Sequence, residues 1–187
     1  IQKEIEHVRE QISYRQVPRL FVNDGTGRFS EPGVSPGPMF STGLVARGVA
    51  YGDVDGDGDQ DILVTENGGP VHLWRNDSAG NGYLRVRLRA SESAPSGIGA
   101  RVRGYAGGRV MHRHIRTGGS YLSSSETRVA TFGLGARRVL DSLIVQWPSG
   151  RLTRRGSVES GQELLLREQN AGVPSDETSN RTAALQP

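Results

Sequence analysis

Residues 51 to 64, YGDVDGDGDQDILV, place five aspartates at alternate positions: Asp53, Asp55, Asp57, Asp59 and Asp61. No Lys or Arg lies among them. Carboxylates crowded this closely between two apolar stretches repel one another, and burying them without a counter-ion is costly. Counted from Asp53, carboxylates stand at positions one, three, five and nine, and Asp59 stands at position seven, where a main-chain carbonyl commonly faces an ion. Converging oxygens suit a hard divalent cation, which takes about 6 to 8 oxygen ligands at about 2.3 to 2.6 Å. Gly56 and Gly58 let the backbone turn tightly enough for the side chains to meet. Calcium fits better than magnesium, which keeps several waters. The ion would cancel the repulsion and tie two strands together. An EF-hand also opens D-x-D-x-D-G, but it needs a bidentate Glu at position twelve, where this chain has Val64, and flanking helices where GVAYG and DILV read as strands.

What surrounds the loop reads as all β. Twenty-six Gly, about twice the usual share, and nine Pro favour frequent turns between short strands. With no Cys, disulfides, thiol catalysis and thiolate metal sites are excluded. No apolar run reaches the roughly 20 residues of a membrane helix, and no signal peptide opens the chain. The start at Ile1 rather than Met suggests a processed or truncated product, so the absence of a signal peptide does not fix the compartment.

Ile1, Ile5, Val8 and Ile12 recur at helical spacing and predict a short helix ending near Pro18. RLFVNDGTGRF reads as strand, tight turn and strand, and residues 31 to 46, with three prolines, as a connecting loop. VHLWRND repeats the character of RLFVND, with Asn76 lying 53 residues after Asn23, near the length of a propeller blade. One blade cannot bury both faces of its sheet, so contacts with blades absent from this sequence are expected. From Tyr83 the pattern changes. YLRVRLRA alternates strictly, with Leu84, Val86 and Leu88 on one side and Arg85, Arg87 and Arg89 on the other. GARVRGYA, RVMHRHIRT, RVATFGLG, LDSLIVQWPSG and QELLLRE follow, separated by turns, and suggest a small sandwich or barrel. Beyond about Asn170 the chain reads as a frayed tail.

LFVNDGTGRF and ARGVAYGDVDGDGDQDILV resemble the opening and centre of the FG-GAP or VCBS repeat, the calcium-loop blade of integrin-type β-propellers. IGARVRGYAGGR, RTGGSYLSSSE, FGLG and VQWPSGR resemble the ASPIC/UnbV domain. The resemblance covers roughly residues 14 to 168. It implies the C-terminal blade of a calcium-loop propeller at 18–80 and a small sandwich-like ASPIC/UnbV domain at 81–169; with the short helix or connector read at 1–17 and the disordered tail read at 170–187, an all-β chain is expected. Carried over by position, the metal ligands are Asp53, Asp55, Asp57, Asp59 through its carbonyl, and Asp61. The turn Asn23 to Gly27 lacks the full set of carboxylates and is assigned no ion. The family also implies a secreted, periplasmic or cell-surface protein linked to adhesion, and supplies no agreed chemistry.

Catalytic signatures are weak. GGSYL has Leu122 where a nucleophile elbow needs Gly, no H-E-x-x-H occurs, and GIGARV and FGLGAR lack a third nucleotide-binding glycine. His112 and His114 share one side of a strand with no evident third ligand. The hydroxyls of Ser120, Tyr121, Ser123, Ser124 and Ser125 suit a polar loop, or a sugar site. In WPSG, Trp147 packs, Pro148 stops a ladder and Gly150 bends the chain. Of 23 basic residues 22 are Arg, and removing the loop aspartates raises the formal charge from +3 to about +8. Arg85, Arg87 and Arg89, and again Arg101 and Arg103, recur at period two. Such a face suits solvent, an acidic glycan or a partner protein; nucleic acid is disfavoured because no aromatics interleave for stacking. The expectation is a calcium-stabilised, non-catalytic binding or adhesion module. The rivals are a carbohydrate-binding module, or an enzyme or accessory of polysaccharide or secondary-metabolite processing. The enzyme would need a cleft gathering His112, His114 or Glu126 with a carboxylate.

Overall fold

Buried and exposed side chains alternate along the longer strands, and the described residues are all β apart from one 3-10 turn at Pro38–Ser41. The computed structural model describes residues 14–33, 37–78, 80–119, 124–125 and 128–169, with backbone alone at 124–125. The helix expected over Ile1 to Ile12, the hydroxyls of Ser120, Tyr121 and Ser123, Glu126 and the tail from Asn170 lie outside the described residues. Among those described, no helix is long and apolar enough to cross a membrane. Two compact units result. One takes the described residues up to Ala50 with Ile62–Trp74; the other takes Tyr51–Asp61 with the described residues from Arg75 on.

In the first unit, β1 (Val22–Asn23) and β2 (Phe29–Ser30) pair as the expected short hairpin. The proline-rich connection after β2 holds the 3-10 turn, which sinks Met39 into a small core with Leu44 and Val64. β3 (Ala46–Gly52), β4 (Asp61–Glu66) and β5 (Val71–Trp74) lie in the order β5-β4-β3. Ile62 and Trp74 pair across β4 and β5 on the covered face. His72 stacks on Trp74 at 5.0 Å and meets Glu66 at 2.6 Å. On the other face Leu63 pairs with Leu73, and both are exposed, as is Val71. That face is apolar and uncovered among the described residues.

In the second unit, β6 (Gly82–Arg89) is the middle of a three-stranded sheet and β7 (Arg101–Ala106) lies inside a four-stranded one. β8 (Arg109–His114) forms a hairpin with β7. After β9 (Ser124–Ser125), β10 (Val129–Gly135) pairs antiparallel with β6. β11 (Val139–Leu140) leads into β12 (Ser142–Gln146), which joins β7 on one side and β13 (Leu152–Arg155) on the other. β14 (Val158–Glu159) pairs with β11, and β15 (Gln162–Arg167) runs parallel to β6. The sheets are thus β10-β6-β15 and β13-β12-β7-β8.

Both sheets turn their apolar residues into one core: Leu84, Val86 and Leu88, Val102, Phe132, Leu143, Val145 and Trp147. This is the expected sandwich. Gly104 permits a close approach within it, because a Cβ there would lie 3.0 Å from the Phe132 ring and 3.1 Å from Leu140. Trp147 is buried, its indole N–H donating to Thr153 Oγ1 at 2.8 Å, and Gly150 makes the following bend with φ 89°.

Candidate metal centre

The acidic segment is the connection from β3 to β4. Its side chains fold back on its own amides. Asp53 Oδ1 accepts from the Gly56 N–H at 2.7 Å and Oδ2 from the Gly58 N–H at 3.1 Å. Asp55 accepts from the Asp57 N–H at 3.3 Å, and Asp57 from the Asp59 N–H at 2.9 Å. The left-handed conformations this winding requires fall on Gly56 and Gly58, with φ of 82° and 95°. Gly58 has a second constraint, since a Cβ there would stand 1.9 Å from Tyr83 Cε1.

Asp61 anchors the turn. Its side chain is buried, and its two oxygens accept the N–H groups of Val54 and Asn76, each at 2.8 Å. Carboxylate oxygens of Asp53, Asp55 and Asp61 lie within 4.8 Å of one another, as do those of Asp55, Asp57 and Asp77. Asp55 belongs to both groups. Every oxygen so placed is a hard donor, and a carboxylate has about four lone-pair sites, so one or two accepted amides leave room for a cation. This donor set fits a divalent ion of the calcium type.

Two guanidiniums also reach the cluster. Arg85 meets Asp53 at 2.5 Å, with Glu163 3.4 Å from its Nε. Arg75 meets Asp77 at 2.6 Å and Asp55 at 3.6 Å, and those carboxylates, Asp77 first, raise its pKa. Against Asp53, Asp55, Asp57, Asp59, Asp61 and Asp77, two cations leave a marked excess of negative charge. Asp59 registers it. Burial, then the charges of Asp57, Asp53, Asp61 and Asp55, push its carboxyl above the ordinary aspartate range.

Sequence reasoning thus located the loop and its glycines but missed Asp77, Arg75 and Arg85. The repeated Asn-Asp after β5 was a signal for Asp77, since it marks where the chain returns to the turn. Nothing local marks Arg85, whose partner lies 32 residues away. Of the five aspartates, Asp53, Asp55 and Asp61 are brought together, Asp57 joins Asp55 and Asp77, and the Asp59 carboxylate is in neither group. Val64 is buried in the first core, so an EF-hand's twelfth ligand is absent.

The histidines lie elsewhere, in a cleft of about 840 Å³ whose lining includes Tyr51, Asp59, Gln60, Tyr83, His112 and His114. The Gln60 Nε2 is buried without a hydrogen-bond partner among the described residues. Neither histidine belongs to a group of three potential metal ligands among those residues.

Comparison with known families places these features. A model of the FG-GAP-like repeat matches residues 12–64, and a model described as ASPIC and UnbV matches residues 90–173. The chain is thus similar, in order along the sequence, to an FG-GAP-like repeat and to an ASPIC and UnbV domain. It is also similar to cartilage acidic protein 1 of Mus musculus, at 34% identity over 138 residues, covering 71% of this chain. The chain spans about a fifth of that relative's length, the match covering 21% of it. The FG-GAP-like repeat contains the whole acidic loop, whereas Arg75, Asp77 and Arg85 fall between the two matched stretches. Within the ASPIC and UnbV domain, the buried Glu168 accepts from the N–H groups of Ser91, Glu92 and Ser93, each at 3.0 Å, and from the hydroxyls of Ser93 and Ser149. Burial pushes this carboxyl up, but the donors outweigh it and hold its pKa at about 2.

Proposed function

We propose that this chain is a calcium-stabilised, extracytoplasmic binding or adhesion module without catalytic activity of its own. The observation that carries the reading is the convergence of Asp53, Asp55 and Asp61 within 4.8 Å while the loop retains more carboxylates than guanidiniums. Asp53, Asp55, Asp57 and Asp61 would hold the ion, with Asp59 through its carbonyl and Asp77 beside Asp55. The ion's contribution is charge cancellation and fixed loop geometry. The chain's residues prepare for it by holding the carboxylates of Asp53, Asp55, Asp57 and Asp61 on main-chain amides.

The repeat would serve as one blade of a larger propeller, its exposed Leu63, Val71 and Leu73 covered by further blades. Blade and connector would run to about residue 80, and the sandwich-like domain from 81 to 169. A secreted, periplasmic or cell-surface setting supplies the free calcium such a site needs. The partner would be a protein or an acidic glycan.

Thermal melting in calcium and in chelator tests this. At about one hundred times its Kd, a bound ion adds about 2.7 kcal/mol, or about 5 to 10 °C for a chain of this size. Identical melting in both buffers would remove the reading.

The cleft holding His112, His114 and Asp59 favours a second reading, in which the chain assists in processing a saccharide. No hydrogen bond joins Asp59 to either imidazole, so a substrate would have to bring them into acid–base use. Release of reducing ends from a panel of polysaccharides, lost in His112→Ala, would favour it.

A further inference from the structure

The sequence holds two sets of alternating arginines, and their surroundings in the sandwich differ. On β6, Arg85 meets Asp53 and Glu163, and Arg87 meets Glu163 at 2.5 Å. Parallel pairing of β15 with β6 supplies that Glu163. Two of this ladder's three arginines are therefore paired with carboxylates. Strands β7, β8, β12 and β13 carry six arginines and two histidines, and neither Asp nor Glu.

Register shows which of these share the outward face. Val102, Leu143 and Val145 point into the core, Met111 packs against it, and Arg113 lies over the Phe132 ring. The opposite positions point out. His112 pairs with Arg103, Arg103 with Ile144, and Ile144 with Arg154, making one row across four strands. His114, Arg101, Gln146 and Leu152 make the next row. Strands stand about 4.8 Å apart and alternate residues about 7 Å apart, so His112, Arg103, His114 and Arg101 rise from one small patch. Arg101, Arg103 and Arg154 make no ion pair among the described residues. Carboxylates stand at the margins of the face: Asp141, which accepts the Gly107 N–H, Glu92, which pairs with Arg151 just before β13, and Asp59 in the cleft beyond β8.

We propose that this outward face of β13-β12-β7-β8 binds an acidic polysaccharide, with Arg101, Arg103 and Arg154 taking its sulfate or carboxylate groups and His112 and His114 completing the patch. The inference rests on the binding-module reading and names its partner. Guanidiniums grip such groups bidentately. Nucleic acid is a poorer match, because single strands need stacking platforms and the outward positions offer one half-buried phenol, Tyr105, among Val110, Ile144 and Leu152. A folded acidic protein is also a poorer match, since the face presents no aromatic anchor at its centre.

Calorimetry of the full chain with heparin, polygalacturonate, neutral dextran and DNA, across a salt series, tests the assignment. Binding to an acidic glycan that weakens with salt, and none to dextran, is expected. Substituting Arg101→Ser with Arg103→Ser should weaken it about tenfold or more. Arg89→Ser with Arg167→Ser removes the same charge from the other sheet and should weaken it less than about twofold. Arg154→Gln, on an edge strand, gives a second reading of the face should the first pair melt. Equal weakening by both pairs, no binding to either glycan, or tighter binding to DNA would overturn the proposal. Calcium melts on the same samples separate the two claims: a calcium shift without glycan binding sinks only this face, and glycan binding without a shift sinks only the calcium reading.

Discussion

Two turns of the FG-GAP-like repeat handle their polar side chains differently. In the turn from Asn23 to Gly27, Asn23 accepts the Gly25 N–H and Asp24 accepts both the N–H and the hydroxyl of Thr26, all at 2.7 Å. One carboxylate is present, and those donors hold its pKa below the ordinary range. The loop from Asp53 to Asp61 uses the same acceptance of amides by side chains, but on four of its five carboxylates, and it recruits Asp77 besides. Amide donors shape both turns. Only in the second does charge exceed what donors and guanidiniums offset, and there the proposed cation would have a role.

Asp55→Ala should widen or abolish the contrast most, because Asp55 belongs to both carboxylate groups. It should remove the calcium-linked stabilisation, about 2.7 kcal/mol at saturating ion, as read by melting with and without chelator. Gly58→Ala comes next. A side chain at φ 95° facing the Tyr83 ring should destabilise the loop by about 2 kcal/mol in either buffer, measured by urea unfolding.

Glu168 sharpens the comparison as a carboxylate satisfied by donors alone. Glu168→Gln should cost about 1.5 to 2 kcal/mol at pH 7 without altering the calcium shift. Its folded pKa of about 2 lies below the ordinary glutamate value of 4.5. The unfolded chain therefore takes up the proton first as pH falls. The stabilisation is present above about 4.5 and lost as pH falls toward 2, so wild type and variant should converge on acidification. The smallest effect belongs to Asp24→Asn, which keeps an acceptor for Thr26: little change in the melting temperature, and no change in calcium response. A calcium response lost in that variant would break the distinction between the turns.

The same contrast explains what could be read from the chain. The alternation of Leu84, Val86 and Leu88 is local, and it placed β6 and its buried side correctly. The aspartate spacing and Gly56 and Gly58 are local too. By contrast, β13 escaped notice because RLTRR is an edge strand whose Leu152 is exposed, so it has no apolar rhythm. The 3-10 turn hid among prolines, although Met39 is buried there. The alternating arginines of β6 were visible in the sequence, but their partners were not, for a non-local reason. Glu163 and Asp53 come from distant segments that reach Arg85 and Arg87 only through sheet pairing and loop closure. Charge count was visible; charge placement was not.

Calcium titration of the purified chain by calorimetry, beside Asp55→Ala and Asp24→Asn, addresses the central claim most directly. The account predicts saturable binding in the wild type and Asp24→Asn and none in Asp55→Ala. No heat of binding in the wild type at millimolar calcium, or unchanged binding in Asp55→Ala, would contradict it.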